Sequence, residues 1–355
     1  MLTELSIPEK IHLLHDAYQF ELAIKVLSSY PALLQETHFA FANHLYSIQK
    51  FKEALDHFIL SSASPPSIIH KYVSTTQCTH LITYILHLYK NSQATTHHVT
   101  LLISCFITLD DLERCEAFIA QIDKNTSIDI NKCARLCITS GWYKQAKDMA
   151  INTQKHDLSI EILVRYMKDY AGALEYTKNM TLKNEMIPVF KSWGDLFLNV
   201  FPEKFVQLLQ ATFTLLEDLK SVTELVPIFI NKQEWAVKFF GQYVRCIFDF
   251  MDNQEISEEM EKHLTMIVHH LFFLLLLLER KDEAIDLLAN KHSIYFGYSI
   301  LVICEEMQFF RGTEYVYVEN GMHEELIELY KPNKSFLKIF THLEQIPYKS
   351  NHSFV

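Results

Sequence analysis

The stretch HHLFFLLLLLERKDEAIDLL, residues 269–288, runs eight apolar residues, Leu271 to Leu278, straight into a charged, helix-forming tail. It reads either as a membrane anchor or as the inside of a folded helical array. A spanning helix needs about 20 predominantly apolar residues. Extended back to Leu264, the stretch reaches only fifteen residues and is broken by His269-His270; that is about 22 Å at 1.5 Å per residue. Its helix is predicted to begin after Ser257, a capping residue followed by Glu258, Glu259 and Glu261. Carboxylates in a first turn offset the helix macrodipole. The tail RKDEAIDLL then opens a second helix with a small residue, Ala284, near its start. The leucines therefore read as the first helix of a packed pair, enclosed on several sides, with no insertion into a membrane.

The small-residue start recurs along the chain. Phe20-Glu-Leu-Ala23-Ile24, Phe51-Lys-Glu-Ala54-Leu55, Tyr143-Lys-Gln-Ala146-Lys147, Tyr170-Ala-Gly-Ala173-Leu174 and Lys281-Asp-Glu-Ala284-Ile285 share it, and Cys115 in DDLERCEAFI takes the same place. Ala23 and Ala54 lie 31 residues apart, Cys115 follows after 61, Ala146 after a further 31 and Ala173 after 27. Two antiparallel helices joined by a short turn approach closely only where a small side chain faces the neighbour. One such pair cannot bury its apolar face alone, so pairs stack into an array. The expectation is an all-α fold: an irregular α-solenoid of stacked antiparallel helix pairs, one array over residues 1–344 with a frayed tail at 345–355. Ala23, Ala54, Cys115, Ala146, Ala173 and Ala284 are its structural repeat markers.

Between the markers lie the partner helices. THFAFANHLYSI (37–48) places Phe39, Ala42, Leu45 and Tyr46 on one stripe, and HVTLLISCFITL (98–109) is apolar nearly all round, as a covered helix is. Residues 35–66 come nearest to a tetratricopeptide unit, with Ala54 and Phe58 four apart and Pro65-Pro66 closing the second helix. SSASPPS (61–67) and DKNTSID (123–129) read as inter-helix loops of ordinary length.

Composition agrees with an all-helical core. The 355 residues are 49% hydrophobic with only 7 Gly, far fewer than strand-and-turn folds consume. The net charge of −11, with no basic cluster, speaks against nucleic acid and against electrostatic docking on anionic lipid. Seven Cys at 78, 105, 115, 133, 137, 246 and 304 follow no disulfide framework and sit in helical, apolar contexts. The N-terminus reads as a helix capped by Ser6, with Pro8 in its first turn and Glu9 completing a capping box, and lacks a secretory pattern.

Residues that could carry chemistry do not assemble into a motif. Cys133 and Cys137 share a helix face but have no second pair to complete a zinc site. His97-His98 and His269-His270 are adjacent and point to different faces. Acidic pairs Asp110-Asp111 and Glu258-Glu259 fit helix N-termini. The sequence holds no glycine-rich phosphate loop and no nucleophile elbow. No cofactor, metal or catalytic residue is expected, and the chain reads as a non-enzyme.

From about residue 36 to 330 the chain resembles the α-solenoid of the vacuolar protein sorting-associated protein 11 family, within the clathrin heavy-chain-repeat group. HLYSIQKFKEALDHFILS (44–61), HLITYILHLYKNSQATTHHVTLLISCFITLDDLERCEAFI (80–119) and DYAGALEYTKNM (169–180) carry the resemblance. WGDLFLNVFPEKFVQLL (193–209), ELVPIFIN (224–231) and MQFFRGTEYVYVENGMHEELIELY (307–330) continue it in the family's order. The resemblance implies a scaffold subunit of the HOPS and CORVET endolysosomal tethering complexes, acting in vesicle-mediated transport. Its implied partners are the other class C vacuolar protein sorting subunits, with Rab-type GTPases and SNAREs reached indirectly. Its implied place is the cytoplasm, peripheral on late endosome, vacuole or lysosome membranes. Family members usually carry a β-propeller, a coiled coil and a RING finger; the 355 residues contain no propeller and no Cys-x-x-Cys framework. Ubiquitin-ligase activity is therefore not implied. The competing reading is a tetratricopeptide-like or coat-type adaptor, which would present a concave groove with exposed Lys, Arg and Asn to clasp peptide ends.

Overall fold

The computed structural model describes residues 6–122, 128–251, 257–289 and 298–331, with positions 337, 338 and 341. The tail 345–355 and residues 123–127 of the expected loop lie outside these. Among the described residues there are 21 α-helices and no strand, so the fold is all-α and of α-solenoid type. The chain divides into two compact units, Met1–Asp169 and Tyr170–Val355.

The first unit contains α1 (Ile7–Asp16), α2 (Phe20–Val26), α3 (Pro31–Ser47), α4 (Phe51–Leu60), α5 (Pro65–Tyr72) and α6 (Cys78–Lys90). It continues with α7 (Thr96–Leu109), α8 (Leu112–Ile119), α9 (Ile130–Thr139), α10 (Tyr143–Asn152) and α11 (His156–Glu161). Sequential helices pair, α3 on α4, α6 on α7 and α9 on α10, and the pairs stack through α4 on α6, α7 on α9 and α8 on α10. One core runs through these contacts from Ala42 to Ile162, with Phe58, Tyr72, Ile85, Phe106 and Met149 almost fully enclosed. Glu9 accepts from both the backbone N–H and the hydroxyl of Ser6, at 2.8 and 2.7 Å, fixing the start of α1.

The second unit contains α12 (Tyr170–Lys178), α13 (Lys183–Val200), α14 (Pro202–Thr212), α15 (Leu219–Leu225) and α16 (Gln233–Met251). It continues with α17 (Glu258–Leu277), α18 (Lys281–Leu288), α19 (Tyr298–Glu306), α20 (Phe310–Glu319) and α21 (His323–Tyr330). The helix α17 begins where the sequence places it: Ser257 caps it by accepting from the Met260 N–H at 3.3 Å. It packs on α15, α16, α18 and α19.

Four details depart from the sequence reading. Pro65 and Pro66 open α5 instead of closing α4, which ends at Leu60; a proline at the first helical position loses no hydrogen bond and is already held at a helical φ. Asp110 ends α7 in the left-handed conformation, φ +52°, and only Asp111 caps α8. Phe39 stands at the rim of its stripe, 39% exposed, edge-on to Phe58 at 5.9 Å, while Ala42 and Leu45 are buried. Finally, α17, which the sequence reads as enclosed on several sides, keeps one face open: Met266, Phe273 and Leu277 remain 52%, 39% and 41% exposed along one line.

Candidate protein-interaction framework

The recurring element of both units is one backbone corner. Tyr18, Gln49, Asp110, Gly141, Gln154, Glu279, Gln308 and Gly321 each end a helix with φ between +51° and +81°. The next residue donates its N–H to the carbonyl five positions back, as in Lys50 to Leu45 at 2.9 Å, Trp142 to Cys137 at 2.8 Å and Arg280 to Leu275 at 2.8 Å. That is the Schellman closure, which satisfies a carbonyl orphaned at the helix end. The same residue then serves as N-cap of the following helix. Its carbonyl accepts from the residue four further on: Ala54 N–H to Lys50 at 2.9 Å, Ala284 N–H to Arg280 at 3.1 Å. One residue thus ends one helix and starts the next, which makes the connection as short as an antiparallel pair allows.

The structure places five of the six sequence markers at equivalent points of this element, and Ala173 after a variant of it. Ala23, Ala54, Cys115, Ala146, Ala173 and Ala284 are each the fourth residue of their helix, and none has any solvent exposure. Three positions of the same kind escape the sequence scan: Ser159 and Leu326, fully buried, and Thr313, 4% exposed, fourth in α11, α20 or α21. Their side chains are polar or large, so composition hides them. The signal that would have found them is the preceding left-handed residue, which has no sequence consensus here. At the end of the first unit Lys168 takes φ +58° after a π-turn, and the Asp169 N–H reaches back six residues to Leu163.

Polar groups inside the first unit are few and specifically paired. His38 and His57 meet Nδ1 to Nδ1 at 2.9 Å with stacked rings. Only one of those two nitrogens can carry a proton in that contact. Burial lowers both pKa values; for His38 the facing His57 lowers it further, whereas Asp56, Glu21 and Glu53 pull His57 back up. In the second unit Asp218 accepts from Lys183 Nζ at 2.9 and 3.0 Å and from the N–H groups of Thr214 and Leu215 at 3.2 and 3.1 Å. The Tyr243 hydroxyl donates to the Leu215 carbonyl at 2.9 Å, tying the same bend to α16.

No described constellation supports bond-making chemistry. The seven Cys are free thiols. Burial pushes Cys105, Cys115, Cys137 and Cys304 up to about 12, far from a nucleophilic thiolate. Cys133 and Cys137 lie side by side in the core of α9. Among the described residues no group of three His, Cys, Asp or Glu is placed to hold a metal ion. His98 is occupied as the third helical residue of a capping box with Thr95, and His270 packs edge-on against Phe240 at 5.7 Å. The helix α17 has the length and apolarity to cross a membrane, yet its buried side chains, Leu264, Ile267, Val268, Leu271, Phe272 and Leu274 to Leu276, pack inside the unit. What the arrangement offers is surface: helix pairs held rigidly by their corners, with apolar side chains left on some outer faces.

Comparison with known proteins agrees with this geometry. The PEP5/VPS11 clathrin repeat matches residues 46–347. The chain is 24% identical over 372 residues to a human vacuolar protein sorting-associated protein 11 homolog, covering 95% of the chain and 38% of the relative. A mouse homolog is 22% identical over 370 residues with the same coverage. An Arabidopsis thaliana homolog is 22% identical over 274 residues, 73% of the chain and 29% of the relative. The chain thus spans between about three tenths and two fifths of the length of these relatives. A repeat match over most of the sequence, on a structure built from repeated helix pairs, identifies the chain as a member of the PEP5/VPS11 clathrin-repeat family.

Proposed function

We propose that the chain is a non-catalytic scaffold of an endolysosomal or vacuolar membrane-tethering complex of the HOPS/CORVET type, acting in vesicle-mediated protein transport. The observation that carries this reading is the PEP5/VPS11 clathrin repeat over residues 46–347, together with relatives named for vacuolar protein sorting. Clathrin-type repeats work by surface: stacked helix pairs make broad interfaces anchored by a few apolar and aromatic side chains. In this role the chain holds other class C vacuolar protein sorting subunits in register, and Rab-type GTPases and SNAREs are engaged through them. It then acts from the cytoplasmic side of late endosome, vacuole or lysosome membranes as a peripheral component. The packing of α17 against four neighbours supports that placement, because pulling it into lipid would unmake the core of the second unit. The enclosed thiols support a role without catalysis.

The test is affinity purification of the tagged full chain from its own cells, followed by mass spectrometry. Class C tethering subunits are expected in near-stoichiometric amounts. Clean recovery of a different complex without them would overturn the reading.

A further inference from the structure

The row of second helices in the unit 170–355 has a gap. There α14 packs on α16, and α18 packs on α20, whereas α16 and α18 hardly touch. Between them lies a groove of ≈ 590 Å³. Its floor is the α17 pair Leu271 and Leu275, and its walls run along α16 and α18. The α16 wall is one line of side chains, Glu234, Lys238, Gly241, Arg245 and Phe248, spaced four, three, four and three residues apart. Gly241 stands mid-helix, where glycine costs about 1 kcal/mol against alanine, and a Cβ built on it meets nothing within 4 Å. The space above it is large enough for another chain to approach the α16 backbone.

The two walls differ in charge. Along α16, Lys238 and Arg245 outnumber Glu234, and all three are exposed. Lys238, half-exposed, lies over the Trp235 ring and 3.9 Å from Glu203, too far for a hydrogen bond to tie up its charge. On the α18 side, Arg280 is neutralised by Glu283 at 2.6 and 2.7 Å, which leaves the exposed Asp286 to set the sign. An apolar floor between a basic wall and an acidic wall is the form in which an amphipathic helix is recognised, through anchors spaced i, i+3, i+4 and i+7. The equivalent positions between α14 and α16 and between α18 and α20 are closed by direct helix packing, while α12 and α14 stand apart over a second groove of ≈ 890 Å³ whose α12 and α14 walls both carry lysines, Lys178 and Lys204. We propose that the groove between α16 and α18 docks one amphipathic α-helix of a partner protein, its apolar face on Leu271 and Leu275, acidic residues toward α16 and basic residues toward α18. The proposal rests on the reading that the chain works by binding proteins and adds where one partner sits and what chemistry it presents.

The probe is a stapled, fluorescein-labelled helix of about 15 residues with Leu anchors at those spacings, acidic along one flank and basic along the other, titrated by anisotropy against the full chain. Binding on the order of 10 μM is expected, about ten times tighter than for the same helix with its flanks exchanged. Gly241→Ala keeps the affinity. Gly241→Trp fills the groove and weakens binding at least about 20-fold with an unchanged melt, and Lys238→Glu with Arg245→Glu switches the preference to the flank-exchanged helix. Equal binding of both helices, no binding of either, or an unaffected Gly241→Trp chain would each overturn the proposal. So would self-association of the chain that Gly241→Trp abolishes, because the occupant would then be a second copy. Class C subunits recovered from cells while the titration fails would reject the groove and leave the scaffold reading intact.

Discussion

Asp218 shows what a single residue decides here. Its carboxylate is 9% exposed and serves three donors: the Lys183 ammonium and two backbone N–H groups of the bend after α14. Those N–H groups have no regular helical partner, so removing the carboxylate takes their acceptor away, while the half-exposed lysine turns to water. Asp218→Ala is expected to cost about 2–3 kcal/mol in chemical denaturation, discounted from a fully buried pair because Lys183 is 41% exposed. Lys183→Met should cost less than half as much; equal losses would show that the ion pair, not the backbone contacts, carries the effect. None of this was legible in the sequence, where Asp218 is one of two adjacent acidic residues in FTLLEDLK (213–220). The cysteines were legible: Cys115 reads as a small core residue, and it is fully buried in α8.

At the scale of the element, the corner explains how helix pairs can be so tight in a chain with 7 Gly. Six of the eight corners put a residue other than glycine in the left-handed region, where an L side chain costs about 1–2 kcal/mol. The Schellman bond and the burial that follows outweigh that strain. Relieving it should stabilise: Glu279→Gly, at φ +59°, is expected to raise stability by about 0.5–1 kcal/mol. Introducing it should do the reverse: Gly141→Ala, at φ +81° with open space around the new Cβ, is expected to lower stability by about 1 kcal/mol. Paired thermal melts check both, and opposite shifts for Glu279→Gly and Gly141→Ala are the signature of the corner. The small residues after the corners were visible because five of them, with Ala173 after the π-turn, are Ala or Cys at recurring spacings. The left-handed residues were not, since Tyr, Gln, Asp, Glu and Gly all occupy that place.

For the whole molecule, the titrating histidines set an acid limit. Burial depresses the pKa of His15, His38, His57, His98 and His270 below the ordinary 6.5. The unfolded chain therefore binds protons first as the pH drops. Their contribution is fully present above pH 6.5 and drains as the pH falls below it, toward each folded pKa. Carboxylates act lower down. The Lys144 contact holds Glu116, and the Lys191 contact holds Glu224, below the usual range, so their contribution is lost only as the pH falls beneath about 4.5. Melting temperature is expected to decline in two stages, the first setting in below about pH 6.5 and the second below about 4.5. A flat profile between those two pH values would show that the imidazoles are not held neutral by the fold.

The amino-acid sequence by itself determined that the chain is helical, that its helices come in pairs, and that HHLFFLLLLLERKDEAIDLL belongs to a packed pair. Period and composition carry that information, because a helix must show its apolar residues at regular spacing to bury them. Only the tertiary structure decided which of those faces are covered. It leaves Met266, Phe273 and Leu277 outside, bends the chain through left-handed corners, and holds α16 and α18 apart over Leu271 and Leu275. Each of these depends on where a neighbouring helix lies, and helical periodicity records that a face is apolar without recording what packs against it.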